Sequence, residues 1–284
     1  MRVEPTKRLG AHVPASRAFS YADQIGAETI QIFVSNPRGW AMPEVDPALD
    51  EDFKKRANAA NLVTFVHAPY LINLGSPTEQ TYRNSLASTA YSMERGSRVG
   101  AEGVVVHTGS AVDPTHVKQA WKQIHDGLLP LLESLPDSAP YLLLEPTAGQ
   151  GQSLVKRLDD LAYYFEALEN HPKVGICLDT CHVFAAGHDL TAPDGVNQTL
   201  TLLADVVGPE RLKLIHANDS KDVCGALKDR HENIGDGAIG VEPFAHLLQH
   251  PLTSGIPFVL ETPGTEIEHS KDLNLLKTLR ARSG

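Results

Sequence analysis

The chain has 284 residues, with 25 Lys and Arg against 35 Asp and Glu, for a formal net charge of −10. That balance excludes a protein held to nucleic acid by generic phosphate attraction, because such domains are usually basic, but it leaves room for one whose positive charge arrives as bound metal. A hydrophobic share of 42% with 21% charged residues places the chain among globular proteins, and its length suits two average domains or one large α/β barrel.

Eight short aliphatic or β-branched runs follow one another: 7–12 (KRLGAH), 29–34 (TIQIFV), 63–67 (VTFVH), 103–107 (GVVVH), 141–145 (YLLLE), 174–179 (VGICLD), 212–216 (LKLIH) and 257–261 (PFVLE). Between them lie stretches such as 115–133 and 153–169, where apolar residues recur every three or four positions, the helical period. Strands alternating with helices predict a parallel sheet, since parallel neighbours need crossover connections, and eight strands close a (β/α)8 TIM barrel. No linker or low-complexity tract divides the sequence, so one barrel domain over residues 1–284 is expected. The acidic run 44–52 (EVDPALDED) reads as a solvated loop and helix start. No apolar run approaches the roughly 20 residues of a membrane span. The opening MRVEPTKRLG has no apolar signal-peptide core. Cys177, Cys181 and Cys224 make neither a disulfide framework nor paired CxxC motifs, which fits a reducing cytoplasm.

Six of the eight runs end on a side chain able to bind metal: His67, His107, Glu145, Asp179, His216 and Glu261. Successive members are 34 to 45 residues apart, about one βα unit, so a closed barrel gathers them at its C-terminal mouth. One such residue is ordinarily a surface or core group; six in register point to a site. Asp179 with His182 in LDTCH, and Asp229 with His231 in DRH, add two local chelates on the same face. Five imidazoles and four carboxylates favour zinc, manganese or iron over magnesium, which prefers oxygen alone. Nine donors exceed the needs of one ion; two or three ions fit at three or four protein ligands each. A bridging carboxylate such as Glu145 would hold two ions about 3.5–4 Å apart, the spacing of clusters that cleave phosphate esters. His12 ends the first run but reads as a supporting or core histidine. His116, His125, His171, His188, His246, His250 and His269 fall in helix or loop contexts, as surface or hydrogen-bonded residues.

Two other functions use the same barrel. Glu145, Asp179, His216 and Glu261 alone would make a one-metal site for a sugar isomerase or epimerase, although such an enzyme has no use for His67, His107, His182, Asp229 and His231. A metal-storing or DNA-binding module without catalysis is the third reading. Metal stoichiometry separates the three.

GAHV (10–13), HAPYLINLG (67–75), LDTCHVFAAG (178–187), HANDSK (216–221), DRHENIGDG (229–237) and LET (260–262) resemble, across nearly the whole chain, the bacterial endonuclease IV family of trinuclear-zinc abasic-site endonucleases. The resemblance implies three Zn²⁺ ions, with Mn²⁺ or Fe²⁺ compatible at one. The first would be held by His67, His107 and Glu145, the second by Glu145, Asp179, His216 and Glu261, and the third by His182, Asp229 and His231. It implies hydrolysis of the phosphodiester 5′ to an abasic site in double-stranded DNA, trimming of 3′-blocked ends, and a place in base excision repair. Glu145 would be the catalytic bridge that orients the nucleophile. Loops matching Asn36–Trp40 (NPRGW) and Tyr70–Leu71 would contact DNA, with Arg38 at the backbone or in the stack, Trp40 at the groove or packed in its loop, and Tyr70 and Leu71 as wedges, Tyr70 alternatively as a packing residue of the barrel rim. A monomer without an obligate protein partner, and without membrane attachment, is implied as well. Three ions would bring the formal charge from −10 to −4 and focus positive charge at the mouth. The sequence departs from the family in three places. PASRAFSYA replaces the Gly-Gly after GAHV, predicting a short first loop; Pro146 replaces the common Asn; and Thr108 stands where some members have Pro.

Overall fold

The computed structural model describes residues 7–282, so the reading of MRVEPT as lacking a signal-peptide core lies outside the described residues. The apolar runs form eight strands: β1 (Leu9–His12), β2 (Thr29–Phe33), β3 (Val63–His67), β4 (Gly103–His107), β5 (Tyr141–Glu145), β6 (Val174–Asp179), β7 (Leu212–His216) and β8 (Phe258–Leu260). Each pairs in parallel with the next, and β8 pairs with β1 to close the barrel. Helices α1 (Ala18–Ile25), α2 (Pro47–Ala59), α3 (Glu79–Val99), α4 (Val117–Glu133) and α5 (Leu161–Ala167) follow β1 to β5 in turn. Two helices, α6 (Thr180–Ala185) and α7 (Gly195–Val207), follow β6; α8 (Val241–Gln249) precedes β8 and α9 (Glu266–Ala281) ends the described chain. A two-residue antiparallel ribbon, Asp219–Ser220 with His231–Glu232, rises from the loop after β7. None of the described helices is long and apolar enough to cross a membrane.

Strand ends fall within two residues of expectation. Lys7 and Arg8 precede β1, and Arg8 instead bonds the Asn61 carbonyl at 2.5 Å. Glu261 follows β8 rather than ending it. The helix expected over 153–169 begins only at Leu161, because Asp160 accepts the N–H groups of Lys156 and Arg157 and folds that segment into a turn. The first loop is short, as PASRAFSYA suggested: a single 3₁₀ turn, Ala15–Arg17, leads into α1. In the acidic run, Asp46 caps α2 and most of the run is exposed, but Asp50 turns inward to Arg95 at 2.7 Å.

Strand parity explains why the donors converge. Side chains alternate between faces along a strand, so residues two apart share a face. Phe65, Val105, Leu143, Cys177, Leu214 and Val259 form one interior layer of the barrel, separate from the larger core beneath the helices. His67, His107, Glu145, Asp179, His216 and Glu261 each stand two residues after one of these, and so form the next layer, at the mouth. The apolar layer is their floor.

Gly10 shows how closely β1 and β2 approach. A Cβ at Gly10 would fall 1.7 Å from the Thr29 carbonyl oxygen and 2.6 Å from its carbon, both backbone atoms in the paired strand. Backbone cannot yield as a flexible side chain does. Replacing Gly10 with Ala is therefore expected to destabilise the barrel by about 3 kcal/mol or more, read as a lowered urea midpoint; an unchanged midpoint would contradict the packing described.

Candidate metal centre

Within each of three groups the donor atoms lie within 4.8 Å of one another: His67, His107 and Glu145; Glu145, Asp179, His216 and Glu261; His182, Asp229 and His231. The first two share Glu145, and Cys177 and Cys181 approach Glu145 with His216 and Asp179 with His231 as closely. Glu145 is fully buried at the end of β5, and its two oxygens face different groups. Oε2 lies 3.3 Å from Nε2 of both His67 and His107. Oε1 lies 3.0 Å from His216 Nδ1 and 3.4 Å from His182 Nδ1.

Backbone carbonyls set the imidazole orientations. Nδ1–H of His67 donates to Ala68 O at 2.6 Å, that of His182 to Pro146 O at 3.1 Å, and that of His231 to Glu261 O at 3.2 Å. A carbonyl only accepts, so each of these Nδ1 atoms carries a hydrogen and Nε2 is the nitrogen left to ligate once it is unprotonated. Pro146 thus serves the centre through its carbonyl, where the family's Asn would offer an amide. Asp179 is the N-cap of α6: Oδ1 takes the His182 N–H at 3.0 Å, and Oδ2 takes an N–H of Asn218 at 2.7 Å.

The residues fit a bound cation. His182 Nε2 and His231 Nε2 are buried without a hydrogen-bond partner, although Asp229 Oδ1 is 3.2 and 3.1 Å away. A buried imidazole nitrogen without a partner is costly unless something else engages its lone pair. Electrostatics point the same way. Burial opposes ionisation of Glu145, yet His216 and His107 outweigh it and hold the carboxyl well below its ordinary range. Burial likewise opposes charge on Asp229 and Glu261, and facing imidazoles again lower both. Conversely, carboxylates overcome burial to raise His67 and His182 and to raise His231 to about 9, and Cys177 with Glu261 and Glu145 raises His216.

Two amide residues in the centre are not evident from sequence spacing. Gln31, buried on β2, accepts the His216 Nε2–H at 2.9 Å and donates to Glu261 Oε1 at 2.6 Å. It also bonds His12 Nδ1 at 3.0 Å, which places His12 beside Glu261 as a supporting group. Asn218 links Asp179 to the Glu261 backbone N–H, which its Oδ1 accepts at 2.7 Å. The signal available in sequence was parity: Gln31 is polar within the apolar run TIQIF, and in the register it pairs with His12 and with inward-facing Phe65. Replacing Gln31 with Leu is expected to lower metal affinity about 10- to 100-fold, since His216 and Glu261 lose the partner that orients them. Competition with a chromophoric chelator measures this, and an unchanged affinity would remove Gln31 from the centre's support.

Of Arg38, Trp40, Tyr70 and Leu71, only Tyr70 lines the cavity at the mouth. Tyr70 and Leu71 are exposed, and the Tyr70 ring stacks on His107 with centroids 5.9 Å apart. Burial, then Glu261 and Glu145, raise the Tyr70 phenol above its usual range, so it remains a hydrogen-bond donor. Tyr70 N–H donates to Pro37 O at 3.0 Å, tying its loop to the one carrying exposed Arg38. Trp40 is half-buried against the core. A cavity of about 500 Å³ opens between Tyr70, His107, His182, Asp229, His231 and Glu261. Among the other histidines, His188 and His269 are buried rather than superficial. His188 accepts the Leu158 N–H, and burial lowers its imidazole to about 4; His269 bonds Tyr21 and Thr262.

Residues 19–279 match the xylose isomerase-like TIM barrel family. The probable endonuclease 4 of Streptomyces avermitilis is 55% identical over 278 residues, covering 96% of this chain and 90% of its own. The crystal structure of endonuclease IV from Thermus thermophilus superposes with a TM-score of 0.86 at 32% identity, covering 97% of this chain and 99% of that one. A D-tagatose 3-epimerase-like protein superposes at 0.75 with 17% identity over 97% and 98% of the two chains, a likeness of fold alone. The chain belongs to the endonuclease IV family, within the xylose isomerase-like TIM barrels.

Proposed function

We propose that this protein is a DNA repair endonuclease that hydrolyses the phosphodiester 5′ to an abasic site in double-stranded DNA, leaving a 3′-hydroxyl and a 5′-deoxyribose phosphate. The same hydrolysis would trim 3′-blocked ends. The observation that carries the reading is the convergence of nine imidazole and carboxylate donors at one end of the barrel in three groups, two of which share the buried Glu145. We assign three ions to these groups, zinc by the nature of the donors, with manganese or iron compatible at one. Bound divalent ions supply charge that activates water and stabilises a departing oxygen.

The chain's own residues hold and orient. Glu145 spans the first two groups through separate oxygens; the carbonyls of Ala68 and Pro146 fix His67 and His182, which face it, and that of Glu261 fixes His231, which faces Asp229. Tyr70, kept protonated, can donate to a phosphate oxygen, while Leu71 beside it and Arg38 are exposed and free to contact DNA. An abasic nucleotide has no base to unstack, so its extrusion into the cavity costs little, and selectivity rests on shape. Four donors would suffice for a one-metal sugar isomerase; the remaining five favour phosphodiester hydrolysis.

The polarity of cleavage tests the assignment. Incision of a duplex containing one abasic site should yield a 3′ end that a DNA polymerase extends without further processing. An unextendable end would place the cut on the wrong side of the lesion.

A further inference from the structure

Seven of the nine donors stand on barrel strands, directly after one, or on α6, but Asp229 and His231 belong to the long excursion between β7 and α8. Something must hold that excursion. Asp219, three residues beyond His216 in the HANDSK block, is fully buried and takes no part in the three donor groups. Its two oxygens accept five backbone N–H groups. Oδ1 accepts from Ser220 at 2.7 Å and Ile239 at 2.8 Å; Oδ2 accepts from Gly235 at 2.9 Å, Gly240 at 3.1 Å and Gly237 at 3.2 Å.

A buried carboxylate is costly unless its hydrogen bonds are made, so burying Asp219 requires residues 235–240 to stay wrapped around it. Gly235 and Gly240 have φ of +88° and +73°, a region glycine enters freely, and this aims their N–H groups inward. At Gly237 a Cβ would lie 2.5 Å from both Asp219 Oδ1 and Ser220 O, so the loop closes on the carboxylate without spare room. The same excursion returns to Asp219 through the ribbon, where Ser220 pairs with His231 and Asp219 with Glu232. Asp219 therefore holds the loop just beyond His231, at Glu232 and again over residues 235–240.

We propose that Asp219 is a positioning residue: an internal anion that fixes the 229–240 loop so that Asp229 and His231 meet His182. The proposal rests on the three-ion reading above. Exchange for Asn makes it testable with little change of volume. An amide has one acceptor oxygen, so its NH₂ must face either the two donors on Oδ1 or the three on Oδ2.

The test compares the native chain with D219N and G237A, the latter pressing on the carboxylate from the loop side. Zinc content is measured by elemental analysis and affinity by chelator competition. Amide exchange is followed on metal-stripped protein. Expected are three ions in the native chain and weakening of one site by about 10- to 100-fold in both variants, with the other two retained. Exchange protection at Gly235, Gly237 and Gly240 should fall in both stripped variants, while the barrel strands stay protected. Native metal content together with native protection in the variants would overturn the proposal. So would loss of protection throughout the barrel in G237A, which would mean a general folding role. If D219N does not fold, G237A decides alone. Fewer than three ions in the native chain would contradict the metal count, not the role of Asp219; the exchange measurement on stripped protein still decides that role.

Discussion

Replacing Glu145 with Gln lowers incision turnover by about 10³-fold or more while abasic duplex still binds. A single preorganised electrostatic group in an active site is commonly worth about 10²- to 10³-fold, and Glu145 serves two groups at once. Its Oε2 faces His67 and His107, and its Oε1 faces His216 and His182. Gln keeps the volume and one acceptor oxygen, but its NH₂ carries no negative charge and cannot ligate, so one of the two groups loses its shared donor. The proposed DNA contacts, Arg38, Trp40, Tyr70 and Leu71, lie in other loops and are untouched, so affinity for the lesion persists. Single-turnover incision and a binding titration on the same preparation separate the two effects. Full turnover in the variant would remove Glu145 from the chemistry.

Stripping the metal has the second large effect. Incision should fall to background and return with zinc, while far-UV circular dichroism is kept, because the barrel's interior layer and the core beneath its helices need no ion. Ligand binding to the native state also raises the melting temperature by mass action. Proton linkage gives a sharper signature. In the metal-free chain the facing carboxylates raise His67, His182 and His231 against the opposing effect of burial, His231 to about 9. His231 therefore holds a proton at pH 7, and ligation needs it neutral, so zinc uptake releases a proton and its affinity falls as pH drops. A calorimetric binding enthalpy that shifts with the ionisation heat of the buffer would register the release. An enthalpy independent of buffer at pH 7 would contradict it.

The barrel and the nine donors were legible because two regularities coincide in the sequence. Apolar runs mark the strands, and a donor closes six of them at intervals of about one βα unit. What stayed hidden depends on register or on backbone. Gln31 and Asn218 are amides, a type that spacing arguments do not flag as ligand chemistry, and their roles exist only once β2 and the turn after β7 face His216 and Asp179. Asp219 was visible as a residue but not in its role, since its partners are N–H groups of residues 220–240, which carry no side-chain pattern. The late start of α5 follows from Asp160 turning back on the preceding backbone, a local contact that an apolar period cannot report.

The opening charge now has a location. Four of the 35 acidic residues, Glu145, Asp179, Asp229 and Glu261, stand among imidazoles at the mouth, while most of the run 44–52 is exposed on the loop and helix α2 outside the barrel. Attraction for DNA would then come from the metal-charged cavity, and binding to intact duplex should be weak.

The most direct measurement gives one zinc-loaded preparation three substrates in parallel: a duplex with a single abasic site, the same duplex intact, and a keto sugar. Incision at the abasic site is expected, with little or none of the intact duplex and no turnover of the sugar. Isomerisation of the sugar with both duplexes left uncut would contradict the assignment of this centre to phosphodiester hydrolysis.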